Sequence, residues 1–125
     1  DGEFGLEDIE KSEVELIITG DDGFVEEAVS RMQEISRSPE SLVSQVINDC
    51  HQYPDGFMLF LGTMFAPITD RDEKGMGFTH HYGDRVEIRS KDLGSLVNWM
   101  SACDQITPWT YGLTEFIKYV RNAQL

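Results

Sequence analysis

The chain has no apolar run near the roughly 20 residues that a bilayer-spanning helix requires, and its opening residues lack a signal peptide's apolar core. Its longest dense run, Phe57 to Phe60 with Leu61, is strand-sized. Basic residues are scarce: 10 Lys and Arg stand against 23 Asp and Glu, for a net charge of −13. Such a surface repels phosphate backbones and anionic lipid, which disfavours nucleic-acid and membrane partners; the bland effect of the excess is solubility. Cysteine is nearly absent. Cys50 and Cys103 lie far apart, with no CxxC or zinc spacing, and read as free thiols of a reducing compartment, the cytoplasm. There is no Gly-x-Ser-x-Gly elbow and no phosphate-binding glycine loop, so serine-hydrolase and nucleotide chemistry lose support.

What remains is 125 residues with 40% apolar content, one domain by length, able to bury about two thirds of its unfolded surface. Residues 1–12 are acidic, contain two glycines and show no apolar period, so they read as a linker or cut end, with the domain over 13–125. Glu13 to Thr19 alternates, with Val14, Leu16 and Ile18 on one face. Gly20-Asp21-Asp22-Gly23 predicts a tight turn and Phe24 to Met32 the returning strand of a hairpin. Ser38-Pro39-Glu40 opens a helix as N-cap, first position and first-turn acid. Leu42, Val43, Val46 and Ile47 give that helix a face to bury, and it is expected to end near His51, before the Pro54-Asp55-Gly56 turn. Phe57 to Thr63 lacks polar alternation and predicts a strand buried on both faces. A polar, glycine-punctuated loop follows from Ala66 to Gly77, then short strands around Arg85 to Arg89 and Leu96 to Trp99. Thr110 or Gly112 precedes a last helix with Leu113, Phe116, Ile117 and Val120 in one stripe. This order predicts an α+β fold with a mostly mixed sheet and two peripheral helices.

Several groups invite a chemical reading. Glu13-Val14-Glu15 places two carboxylates on one strand face, as a hard cation requires, but the next acids, Asp21 and Asp22, sit in the adjacent turn, and a solvent-facing strand edge is the better reading. Asp70-Arg71-Asp72-Glu73-Lys74-Gly75 begins like a calcium loop, yet Lys74 and His81 stand where ligands are needed. The loop reads either as a solvated segment or as the rim of a substrate pocket, with Gly75 and Gly77 as hinges and Arg71 able to pair with a substrate carboxylate. His80 and His81 are adjacent and would point to opposite faces of a strand; they and His51 read as structural. Thr63 ends an apolar strand and opens a loop, where side chains line pockets. It reads as a turn residue, or as a hydroxyl holding a carboxylate oxygen together with nearby backbone N–H groups.

The order of Leu61-Gly62-Thr63, Gly83-Asp84-Arg85-Val86-Glu87-Ile88 and Leu93-Gly94-Ser95-Leu96-Val97-Asn98 resembles the closing segment of the fumarylacetoacetate hydrolase family, over Ile9 to Asn98. Val14 to Ile18 with Gly20 looks like the strand leading into that family's Asn-Gly-Glu turn, here Thr19-Gly20-Asp21. Ser30-Arg31-Met32 stands where a Thr-Ser-x-Met pattern usually lies, and Pro54-Asp55-Gly56-Phe57 resembles its Pro-Gly-Asp turn. The usual Gly-Thr-Pro-x-Gly is replaced by Gly62-Thr63-Met64-Phe65-Ala66-Pro67. That departure, with Pro108-Trp109-Thr110-Tyr111-Gly112, looks like the sugar-acid branch, similar to 2-keto-3-deoxy-pentonate dehydratases and diketo-deoxy sugar-acid hydrolases.

The resemblance implies the family's mixed β-roll and a homodimeric parent protein acting on a small-molecule 2-oxo acid. It implies Mg2+ or Mn2+ chelated by the substrate's 2-oxo and carboxylate oxygens and serving as a Lewis acid. Thr63 holds the place that contacts the substrate carboxylate, with Gly62, Met64 and Arg71 as further substrate-binding candidates. The metal ligands and the catalytic groups, by the same resemblance, belong upstream of Asp1, leaving none in this chain and the chain alone inactive. The alternatives are an acylpyruvate or diketo-acid hydrolase, and a binding module that has kept the fold without the metal.

Overall fold

The structure is a computed structural model that describes residues 5–62 and 66–123. Its fold is α+β, built on a four-stranded sheet of order β2-β1-β3-β4, where β1 is Glu13–Thr19, β2 Val25–Arg31, β3 Arg85–Ser90 and β4 Gly94–Trp99. Every pairing is antiparallel. The expectation of a mixed sheet is therefore corrected among the described residues: both local hairpins, and the contact that joins them, run antiparallel, and the sheet is open.

The β1–β2 hairpin forms as the alternation and the Gly-Asp-Asp-Gly turn predict. Gly23 takes φ +85°, a conformation costly for a residue with a Cβ, and the Asp22 carboxylate accepts the Phe24 N–H at 3.0 Å. The β3–β4 hairpin closes over Lys91–Leu93, with Gly94 at φ +86° paired to Ser90. Gly94 thus enters β4 in the left-handed region, which a glycine adopts without the cost of a Cβ. β1 joins the two hairpins, from Glu15 opposite Arg89 to Thr19 opposite Arg85. One face carries Val14, Leu16, Ile18, Val86, Ile88 and Leu96. The other carries Glu13, Glu15, Glu87, Arg31 and Arg89. Glu13 accepts from Arg31 at 2.8 Å and Glu15 from Arg89 at 2.6 Å, so these carboxylates lie on the charged face of an interior strand and not at a sheet edge.

The acidic start is not simply a linker. Leu6–Lys11 winds into α1, started by the Asp8 carboxylate accepting the Gly5 N–H at 2.7 Å and stopped by the Ser12 hydroxyl donating to the Ile9 carbonyl at 2.8 Å. α2 spans Pro39–Val46, with the Ser38 hydroxyl accepting the Ser41 N–H as its cap. It stops short of His51 because the Asn48 side chain takes the Cys50 N–H at 2.9 Å while the backbones of Asn48 and His51 bond each other, a local turn that competes with the helix. Its apolar face is only half covered, Val43 and Ile47 remaining exposed. α3 spans Leu113–Ala123, making three helices where two were expected, and Leu113, Phe116 and Ile117 are exposed.

The largest departure is the apolar run. Residues 57–62 join no ladder and stay exposed, where a doubly buried strand was expected; Thr63 lies outside the described residues. A strand buried on both faces needs ladder partners and two covering layers, and the described residues supply neither. Among them, Ile18 and Met32 are the only buried hydrophobic side chains, and no helix is long and apolar enough to cross a membrane. Ile18→Ala is expected to cost about 2–5 kcal/mol, whereas Leu113→Ala on exposed α3 stays within about 0.5 kcal/mol. Urea midpoints of the two variants check this, and equal losses would contradict the placement of the core.

Candidate functional site

Where the β1–β2 turn meets the start of β3, the chain gathers its densest set of charges. Asp84 is fixed first. Its backbone extends the β3–β4 ladder, accepting the Met100 N–H at 2.9 Å, while Gly83 donates to the Met100 carbonyl at 2.8 Å. Its carboxylate accepts the His81 N–H at 2.9 Å. Asp22 is fixed by the hairpin turn. Between them lies Arg71, carried in by the loop after Pro67, and the side chains of Arg71 and Asp84 are each only 1% exposed.

All five guanidinium hydrogens have acceptors. Nη1 donates to Asp84 Oδ2 and to the Thr79 carbonyl at 3.4 Å. Nη2 donates to Asp84 Oδ1 at 2.8 Å and to Asp22 at 3.1 Å, and Nε to Asp22 Oδ2 at 3.3 Å. Below the guanidinium lies the Phe24 ring, 4.5 Å from Cζ to centroid, a cation–π contact. This planar fork is a geometry that lysine does not reproduce. The pairing with Arg71 holds the Asp84 carboxyl down to about 2, against the opposing effect of burial. Asp84 in turn raises the guanidinium above its ordinary value. Asp22 lies below the usual carboxylate range because of the Phe24 N–H and then Arg71.

The loop that delivers Arg71 is organised by its neighbours. Asp70 accepts the N–H groups of Gly75 and Gly77, each at 2.7 Å, which hold its carboxyl below the usual range. Both of its oxygens are thus engaged by backbone where the calcium-loop reading would need a ligand. Thr69 donates to buried Glu26 at 3.0 Å, tying the loop to β2. His81 bridges Asp72 at 3.0 Å and Asp22 at 3.4 Å, and His80 lies 3.5 Å from Asp84. Gly20 makes room for the whole arrangement. A Cβ there would overlap the Arg71 guanidinium and the Asp22 carboxylate and stand 3.1 Å from Asp84 Oδ1.

These facts redistribute the residues singled out in the sequence. Arg71, a candidate partner for a substrate carboxylate, has its donors engaged by Asp22, Asp84 and the Thr79 carbonyl and its side chain buried. Gly62 is exposed and takes φ +90°, while Thr63 and Met64 lie outside the described residues. Among the described residues no group of three or more His, Cys, Asp or Glu side chains is arranged to hold a metal ion. Sequence reasoning missed the pairing of Asp22 and Asp84 with Arg71; the one signal was a lone arginine between two aspartates, which reads equally well as a solvated loop. Comparison of the chain with protein-family models, curated proteins and solved structures finds no match.

Arg71→Met is expected to lower stability by about 3–5 kcal/mol, because it leaves Asp84 buried without its counter-charge; chemical denaturation reads the loss. Gly20→Ala should reproduce much of that loss by forcing the guanidinium away from Asp22 and Asp84, and a near-neutral effect would contradict the close fit. In the folded chain the Arg71 guanidinium holds the Asp84 carboxyl below the ordinary aspartate value, at about 2. Its contribution is therefore fully present above pH about 4 and is lost as pH falls through about 2. Thermal melts across that window should show a smaller acid-side decline in Asp84→Asn than in the parent chain.

Proposed function

We propose that the chain forms the C-terminal half of a divalent-metal-dependent enzyme of the fumarylacetoacetate hydrolase family acting on 2-oxo sugar acids, with water loss from a 2-keto-3-deoxy pentonate as its reaction. The observation that carries this reading is the order and spacing of Leu61-Gly62-Thr63, Gly83-Asp84-Arg85-Val86 and Leu93-Gly94-Ser95-Leu96-Val97-Asn98. Consistent with it, the second and third segments run into neighbouring strands, β3 and β4, and Gly62 of the first takes the left-handed region. The family's β-roll belongs to this reading as well.

In this reading Thr63 holds the substrate carboxylate, helped by the backbone at Gly62 and Met64, and Arg71 acts as a structural anchor with no substrate contact. In this reading the Mg2+ or Mn2+ would be held by groups outside the described residues and would serve as a Lewis acid toward the 2-oxo acid.

The test is an assay of the full-length protein for water loss from 2-keto-3-deoxy pentonates against carbon–carbon cleavage of diketo acids. Water loss supports the proposal; reaction of diketo acids alone replaces it with an acylpyruvate-type hydrolase. Thr63→Val is expected to raise KM about 10- to 100-fold, the loss of one hydrogen bond to a charged group, with the melting temperature unchanged. A wild-type KM would remove Thr63 from the site. Saturable binding of magnesium with oxalate by the 125-residue chain alone would overturn the assignment of the ligands to residues outside it.

A further inference from the structure

β2 is an edge of the sheet, and its outer side is built to accept another strand. Gly20 donates to the Phe24 carbonyl at 2.9 Å and Met32 to the Ser12 carbonyl at 3.1 Å. The register between these two bonds is unbroken, so the even-numbered residues of β2 bond to β1. In an antiparallel pair the residues that alternate with them turn their N–H and C=O groups the other way. Val25, Glu27 and Val29 therefore present theirs outward, and no backbone group of the described loops and helices bonds to them. The strand has neither the lysine nor the proline nor the bulge that commonly blunts an edge.

The same three residues share one face of the sheet. Val25 and Val29 are 56 and 42% exposed, and Glu27 stands exposed between them. The arginines of this face are engaged elsewhere: Arg31 with Glu13, Arg85 with Glu87 and Arg89 with Glu15. Glu27 is left without an ion pair among the described residues. On the opposite face Glu26 and Ser30 are buried, Glu26 beneath Thr69. An added strand would thus be read on one face alone, by a carboxylate between two valines.

Charge decides what that strand is. The hairpin from Glu13 to Arg31 carries six acids, Glu13, Glu15, Asp21, Asp22, Glu26 and Glu27, against Arg31 alone. A second copy would bring a net charge of −13 against −13 and is repelled, whereas a basic segment is drawn in. We infer that the β2 edge binds an extended basic peptide, in which a Lys or Arg is flanked two positions away on each side by apolar residues. Its backbone bonds to the outward groups of Val25, Glu27 and Val29 and supplies affinity. The basic side chain lies opposite Glu27 and the apolar ones opposite the valines, which supplies selectivity. This docking does not rest on the enzymatic reading.

Fluorescence anisotropy of a labelled peptide, Thr-Val-Thr-Lys-Thr-Val-Thr, titrated with the 125-residue chain tests it; the peptide reads the same in both directions and so samples either strand sense. Saturable binding is expected, about tenfold or more weaker when Glu replaces the Lys. Glu27→Lys should erase that preference, whereas general attraction to a chain of charge −13 would preserve it. Val29→Pro removes an N–H that the sheet does not use and should weaken the lysine peptide about tenfold or more, with circular dichroism unchanged. Amide exchange should slow at Val25, Glu27 and Val29 on saturation and not along β4. Absence of saturable binding at millimolar peptide overturns the inference. So do a lysine preference that survives Glu27→Lys and protection of β4 in place of β2. Protection of the β2 edge on concentrating the chain without peptide would assign that edge to a second copy and also overturn it. A failed dehydratase assay leaves this result untouched, and a failed peptide titration leaves that assay untouched.

Discussion

The arrangement around Gly20 depends on one charge placed where water cannot reach it. Arg71 is delivered by a loop with little regular structure of its own, yet its guanidinium is the piece that joins the β1–β2 turn, the start of β3 and the Thr79 backbone. Burying such a group is unfavourable unless every hydrogen finds an acceptor and the charge finds counter-charge. Here two aspartates and a carbonyl meet the five donors, and the Phe24 ring covers one face. The constraint runs backwards into the sequence. Gly20 cannot carry a side chain, Asp22 must both shape the turn and face inward, and Asp84 must stand at the strand entrance. A single misplaced member would leave an unpaired charge inside the molecule.

Away from this point the molecule is thinly covered. The sheet face that carries Glu13, Glu15 and Glu87 also carries Ile17, Val29, Val97 and Trp99, and its arginine–glutamate pairs across strands are half in water, where each contributes little. The apolar face has Ile18 buried at its centre but Ile88 and Leu96 exposed toward β4.

Local features were legible in the residues. Alternation over Glu13 to Thr19, with turn chemistry at Gly20 to Gly23, specified the first hairpin to within a residue. Ser38-Pro39-Glu40 specified where α2 begins, because capping is decided by neighbours within one turn. Its end was not legible: Asn48 offers the backbone a competing turn that apolar periodicity does not register. Phe57–Leu61 was misread for the opposite reason. Its composition suits a doubly buried strand, but burial depends on what lies beside it, and composition carries no information about that. The Arg71 cluster escaped because an arginine among aspartates has the same local appearance whether it is solvated or buried; only the approach of positions 22, 71 and 84 distinguishes them. For Thr63 and Met64 the motif resemblance remains the whole of the argument, since they lie outside the described residues.

The β1–β3 ladder carries a kinetic consequence. Each hairpin needs only a short loop to close, so both can form quickly and alone. Joining them brings together residues as far apart as Glu15 and Arg89, 74 positions along the chain, and the entropy of that closure comes before any contact rewards it. The search for this one registry therefore sets the pace of folding. Until it succeeds, Arg71 has no buried site to enter, and both edges of each hairpin stand open to neighbouring chains.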